Sequence, residues 1–245
     1  VGRGKGRMLA MAWSDRMRIA VINPNSTQSM TDKIAAAAQA VAAPGVIVTG
    51  YTCAGSPPAI QGAEDGASAL PHLLAELARI APTSDACIIA CFDDTGLAEA
   101  RNLVDIPVIG IGEAAFHAAM LLGQRYSVVT TLSVSVPIIE DNIATYGLAS
   151  HCLKVRASEV PVLDLERPGS DARARVSAEV GRAKAEDGAG AIVLGCAGMA
   201  DLAAELTSDH GLPVIDGVAA ACGMAQAMVR LVALPAATTP QREPA

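Results

Sequence analysis

The sequence predicts an α/β fold built from two pseudo-symmetric halves, each a parallel sheet covered by helices. Three observations point there. Short β-branched runs alternate strictly with Ala-rich helical stretches, the chain repeats this pattern once, and a Cys stands at the same place in both copies. Strict β–α alternation is how parallel sheets buried on both faces are written in sequence. Self-similarity over a long period marks a duplicated unit.

Taken in order, the strand candidates of the first half are RIAVIN (18–23), VIVTGY (46–51), ACIIA (86–90) and PVIGI (107–111). Those of the second half are YSVVT (126–130), LKVRA (153–157), AIVLG (191–195) and PVID (213–216). Each is a short apolar run bounded by turn-forming residues. Helices are expected near 28–42, 63–80, 95–103, 113–122, 135–146, 171–187, 198–208 and 217–232. The expected organisation is a disordered extension over 1–16, one half over 17–112, a second over 113–215 and a flexible tail over 233–245. The helix over 217–232 lacks a partner in its own half and is expected to pack back on the first.

The duplication is legible residue by residue. ACIIACFDDTGLAEARNLVDIPVIGIGEAA matches GAIVLGCAGMADLAAELTSDHGLPVIDGVAAA, and RIAVINPNSTQSMTDKI matches RYSVVTTLSVSVPIIEDNI. Cys91 falls on Cys196, and the same offset carries Asn25 onto Thr130.

Composition excludes several classes. With 51% apolar residues the 245-residue chain can bury a large core. A net charge of −7 and 2% aromatic residues leave neither the basic face nor the stacking platforms of a nucleic-acid binder. Charged residues interrupt every apolar stretch before the ~18 residues a membrane span needs. The six cysteines form no C-x-x-C pair and have no His at ligand spacing, so neither zinc nor a disulfide framework is expected. The thiols read as free, in a reducing, cytoplasmic compartment. No phosphate-binding glycine motif occurs. Lys33, Lys154 and Lys184 read as solvent-facing, which disfavours a Schiff-base cofactor, and no cofactor is expected.

In open α/β sheets, ligands sit beyond the carboxyl ends of the strands. Asn25, Cys91, Thr130, Thr131 and Cys196 all occupy such ends. Two thiols facing each other across a cleft suit one task well: removing a proton from one face of a carbon and returning one to the other. A free thiol titrates near pH 8.5, and a following helix N-terminus is expected to lower that value for both cysteines. Backbone N–H groups at Ala197 and Gly198 and around Thr130–Thr131 are candidate donors for charge developing on a carbonyl. Asn25 and Ser26 are placed either to cap a helix or to face the substrate. Asp93 or Asp94 reads as the cap of the next helix, and neither is given a catalytic role, because a carboxylate beside a thiolate raises its pKa.

The segments VINPNS, ACFDDTGL, PVIGIGEAA, VVTTL, VRASEVPVL, EDGAGAIVLGCAGMADL and PVIDGV together resemble the hydantoin racemases of the aspartate/glutamate racemase superfamily. The resemblance runs from about Met17 to Leu231. It implies two flavodoxin-like domains with the active site between them, and a homo-oligomer. It also implies cofactor-independent racemisation of 5-monosubstituted hydantoins, allantoin among them, at C5. Cys91 stands where the family has its first catalytic cysteine and Cys196 where it has the second. Within this reading Phe92 is either a wall of the substrate pocket or core packing. The Gly/Pro-rich segment 53–62 is a lid that places Cys53 near the site but outside the chemistry. Cys87, Cys152 and Cys222 are assigned to packing. An amino-acid racemase, a maleate isomerase and a non-catalytic binder of a small metabolite stay open as alternatives.

Overall fold

The computed structural model describes residues 17–232. The extension expected over 1–16 and the tail expected over 233–245 lie outside the described residues.

The first half runs β1 (Arg18–Asn23), α1 (Gln28–Ala40), β2 (Ile47–Thr52), α2 (Ala63–Ile80), β3 (Ala86–Ile89), α3 (Leu97–Leu103) and β4 (Val108–Gly110), and α4 (Ile111–Leu121) follows, packed on β7 and β8 of the second half as well as on β4. The second runs β5 (Tyr126–Thr130), α5 (Val136–Thr145), β6 (Cys152–Ala157), α6 (Ala172–Glu186), β7 (Ala191–Gly195), α7 (Ala203–His210), β8 (Val214–Asp216) and α8 (Gly217–Val232). The strands form two parallel four-stranded sheets of the same order, β2-β1-β3-β4 and β6-β5-β7-β8. The inner strands β3, β5 and β7 are buried along their whole length. They are covered on both faces, so β3 and β7 are apolar runs without alternation, and the buried Ser127 and Thr130 of β5 donate to Asp187 and to Gly195 O.

The sheets correct the alignment of the two halves. Ile19 pairs with Ala86 in the first sheet and Tyr126 with Ala191 in the second. Counted along the strands from these pairs, the counterpart of Thr130 is Asn23, not Asn25. The β1 arm and the Cys-bearing arm therefore repeat at offsets that differ by two residues.

Two helices begin differently from expectation. The segment 95–103 turns helical only at Leu97, because Asp94 and Gly96 hold left-handed φ angles of 49° and 71° in the preceding turn. The expected helix over 198–208 is a 3₁₀ turn, Ala197–Leu202, that leads into α7. It opens with Met199 N donating to Cys196 O at 3.0 Å, the tight i→i+3 bond of a 3₁₀ turn.

α8 starts at a strong cap: Asp216 accepts from Val218 N and Ala219 N, both at 2.9 Å. Its buried stripe, Val218, Ala221, Cys222, Ala225 and Val229, has helical spacing. That stripe packs on α1, β3 and β4 of the first half and on α4. Gly217 permits the approach, since a Cβ there would stand 2.5 Å from Ile111 O. Cys222 Sγ lies 3.2 Å from Ala38 O, and Gln226 Oε1 accepts from Ala43 N at 2.9 Å.

The equivalent helix of the first half, α4, is capped from a distance. Asp94 reaches across to accept from Gly112 N at 3.0 Å, Glu113 N at 2.7 Å and Tyr146 Oη at 2.9 Å. In the second half Arg156 on β6, nearly inaccessible, is clasped by Glu179 at 3.0 Å, Glu186 at 2.7 Å and Asp187 at 2.5 Å. This pins α6 to the sheet. The guanidinium holds Asp187 below the usual carboxylate range, with Ser127 adding to the effect.

Candidate active site

The two sheets present their carboxyl ends to one cavity. Pro24 and Asn25 enter it beyond β1, and Cys91, Phe92 and Asp93 beyond β3. Thr131 and Ser135 enter beyond β5, and Cys196 and Ala197 beyond β7. β1/β3 and β5/β7 are the switch points of the two strand orders, where open α/β sheets bind ligands. Each half thus contributes one cysteine to the same space. The cavity volume is about 30 Å³. That suffices for one or two waters and is far below the ~300 Å³ of a small ligand pocket. The cleft is narrow, and both cysteines keep part of their surface exposed in it.

The segment 53–62 forms one cover. Ser26 N donates to Pro57 O at 3.0 Å and Thr27 Oγ1 to Pro58 O at 2.6 Å, which ties it to the β1 arm. Ile60 and, from the other half, Val162 close over the cavity. Gln61 Oε1 accepts from Val162 N at 3.0 Å and bridges the halves there. Cys53 packs among Ala20, Ile22 and Cys87.

Cys91 sits just past β3, half-buried, with Sγ 3.4 Å from Thr95 Oγ1. Burial pushes its thiol up to about 12, and the Asp93 carboxylate adds to the rise. Cys196 stands at the start of the 3₁₀ turn, and burial pushes it up to about 11. There the Gly198 N–H and the Lys33 ammonium oppose the rise, while Asp93 and Glu166 add to it. The expectation that helix N-termini lower both thiols is therefore overturned. α3 begins only at Leu97, and desolvation of the two thiols outweighs partial charges.

The other expected residues divide. Thr131 and Ala197 line the cavity. Phe92 both lines it and packs edge-on against Phe116 at 5.3 Å, so wall and core packing coincide. Asn25 lines it too, but its amide is committed: Oδ1 accepts from Asn23 Nδ2 at 2.8 Å and Thr27 N at 2.9 Å. Three residues do not face the cavity. Ser26 anchors the cover through its N–H and caps nothing; the helix cap position is Thr27, without a side-chain bond. Thr130 is fully buried and donates to Gly195 O at 2.8 Å. Gly198 turns its N–H to Cys196 and packs beneath Leu165.

Asp93, Ser135, Met30, Ile60 and Val162 line the site unanticipated. Burial raises the Asp93 carboxyl to about 6, against the Ser135 hydroxyl that lowers it. Among the described residues no three His, Cys, Asp or Glu side chains gather as a metal-binding group.

Paired parallel sheets that meet at a cleft with one cysteine on each side define a class of two-lobed α/β proteins. Comparison with known proteins places the chain within it. The family described as Asp/Glu/Hydantoin racemase matches residues 19–225, and the chain belongs to that family. The hydantoin racemase of Rhizobium meliloti is 48% identical over 214 residues, 87% of this chain and 89% of the relative. That of Paenarthrobacter aurescens is 36% identical over 217 residues, 88% of this chain and 92% of the relative. The structure of the allantoin racemase from Klebsiella pneumoniae superposes with a TM-score of 0.85 at 44% identity, covering 88% of this chain and 89% of that one.

Proposed function

We propose that this protein racemises 5-monosubstituted hydantoins at C5 without a cofactor, with Cys91 and Cys196 as the two bases. The observation that carries the reading is that both thiols line one cavity, each from a different half. In one direction a thiolate takes the C5 proton and leaves an enolate whose charge rests on the C4 oxygen. The opposite thiol then gives its proton to the other face of C5. The ring leaves inverted, and the two sulfurs have exchanged protonation states. Ala197 N–H and the Thr131 hydroxyl are the donors available to the enolate oxygen.

The chemistry of the lining supports a neutral ring as substrate. Asp93 repels a free substrate carboxylate and accepts from ring N–H groups, which disfavours an amino acid. The relatives named hydantoin racemase and allantoin racemase support the same class, and allantoin is itself a 5-substituted hydantoin. A cytoplasmic homo-oligomer accompanies this reading. Leu121 and Leu122 at the end of α4, and Leu231 and Val232 at the end of α8, are exposed apolar side chains available to an interface. Among the described residues no helix is long and apolar enough to cross a membrane.

The test is solvent exchange. An optically pure hydantoin incubated with the protein in deuterium oxide is expected to take up deuterium at C5 as optical rotation decays. Saturable binding without exchange identifies a binder instead and sinks the proposal. A panel of hydantoins with aliphatic, aromatic and ureido 5-substituents then assigns the preferred substrate.

A further inference from the structure

Lys33 reads from sequence as a solvent-facing helix residue, yet it spans the two halves. From α1 its Nζ bonds Glu166 Oε1 at 2.6 Å and reaches Gly198 O at 3.4 Å. Asp201 Oδ1 lies 3.9 Å away. All three partners belong to the second half. Gly198 is the residue whose N–H serves the Cys196 sulfur. Lys33 therefore grips, by its carbonyl, the residue that donates to that thiol.

The surroundings of the two cysteines are unequal. Around Cys91 are the Thr95 hydroxyl, the Asp93 N–H and the carboxylates of Asp93 and Asp94, with no cation. Facing Cys196 are the Gly198 N–H from its own turn, Lys33 from α1, Asp93 from the β3–α3 loop and Glu166 from the turn Val162–Glu166. Each thiol has a backbone donor and nearby carboxylates, so the cation is what sets Cys196 apart, and a cation favours an anion.

We propose that Lys33 is a positioning residue that holds the Cys196 turn and supplies the positive charge that makes Cys196, rather than Cys91, the first of the two thiols to ionise. Its role in turnover rests on the two-thiol reading above. The asymmetry itself is measurable without substrate. Two thiolates in one narrow cleft repel, so the pair ionises in two steps, and Lys33 decides which sulfur goes first. The first proton abstracted is then taken from the substrate face presented to Cys196.

The experiment is alkylation of the full chain with iodoacetamide across pH, with Cys91 and Cys196 followed separately by peptide mass mapping. In the wild type, Cys196 is expected to reach its alkylation midpoint at lower pH than Cys91. Lys33→Met is expected to slow alkylation of Cys196 about tenfold at a fixed pH below its midpoint, one pKa unit being a tenfold change, while Cys91 is unmoved. Lys33→Arg keeps the wild-type profile. Glu166→Gln breaks the same ion pair but removes an anion, so it leaves Cys196 as reactive or more so. A purely structural tie would make Lys33→Met and Glu166→Gln act alike. Equal slowing in both, or an unmoved Cys196 profile in Lys33→Met, overturns the proposal. Absence of racemisation by the wild type would sink the function above and leave this test standing.

Discussion

The carboxylate of Asp94 fills the space beside Gly110 where a side chain would otherwise stand; a Cβ at Gly110 would collide with Asp94 Oδ1. In the second half the equivalent position is Asp216, which caps α8 itself. In the first half the strand-end position is stripped to glycine, and the cap comes from the cysteine loop. The loop that carries Cys91 is thereby fastened to α4.

Removing that carboxylate is expected to be costly. Asp94→Ala frees two first-turn N–H groups and the Tyr146 hydroxyl. We expect a loss of about 2 kcal/mol, read as a lower urea midpoint. Gly110→Asp on that background is expected to recover part of the loss by rebuilding the cap that Asp216 exemplifies. No recovery would count against the equivalence of the two positions.

The same group gives stability a pH dependence. Burial raises Asp94 to about 7, against the Tyr146 hydroxyl and the N–H groups of Glu113 and Gly112. An unfolded Asp titrates near 3.9. Between these values the folded state retains a proton that the unfolded state has lost. The Asp94 contribution is therefore fully present below about pH 4 and is lost as pH rises through 7. The stability of wild type relative to Asp94→Asn, measured by urea titration, should fall over that window. A constant difference would contradict the assignment.

Cys91→Ala and Cys196→Ala are each expected to lower racemisation at least about 10³-fold while the far-ultraviolet circular dichroism stays that of the wild type. Substantial turnover in either variant would argue against two bases.

The pH profile of kcat/KM is expected to be strongly alkaline. Both thiols are pushed up, Cys196 to about 11 and Cys91 to about 12, chiefly by burial. The active form holds one thiolate and one thiol, so activity rises as the first sulfur ionises. We expect a rise of about tenfold per pH unit through neutrality, with no plateau at the ordinary thiol value near 8.5. A flat profile from pH 7 to 9 would exclude this ordering.

Arg156→Met is expected to cost about 3–5 kcal/mol, because it strands Asp187 as a buried carboxylate without its counter-charge and leaves buried Glu179 with Arg182 alone. Thermal unfolding or loss of folded protein on expression reads this directly. A change below about 1 kcal/mol would show that the carboxylates find water.

The strands were legible because buried parallel strands carry their own signal: β3 and β7 are short, continuous apolar runs cut off by a cysteine. The two cysteines stood out for the same reason, placed just beyond those strands in repeated surroundings. What stayed hidden depends on distance in space. Asp93, Ser135, Ile60 and Val162 meet only when the halves do. Lys33 has no local feature that distinguishes it from a surface lysine. The thiol shifts were misread because a helix terminus can be inferred from neighbours in sequence, whereas desolvation cannot. The two-residue slip that matched Asn25 to Thr130 arose because the offset between Cys91 and Cys196 does not hold for the β1 arm, whose register is fixed by strand pairing.

α8 carries the apolar stripe that covers β3 and β4, yet it follows every strand of both sheets along the chain. During synthesis the lobe that emerges first is thus the one finished last. A nascent chain stopped before Val218 exposes bare sheet to its surroundings, so a truncated product is a target for aggregation and proteolysis rather than a stable half-molecule.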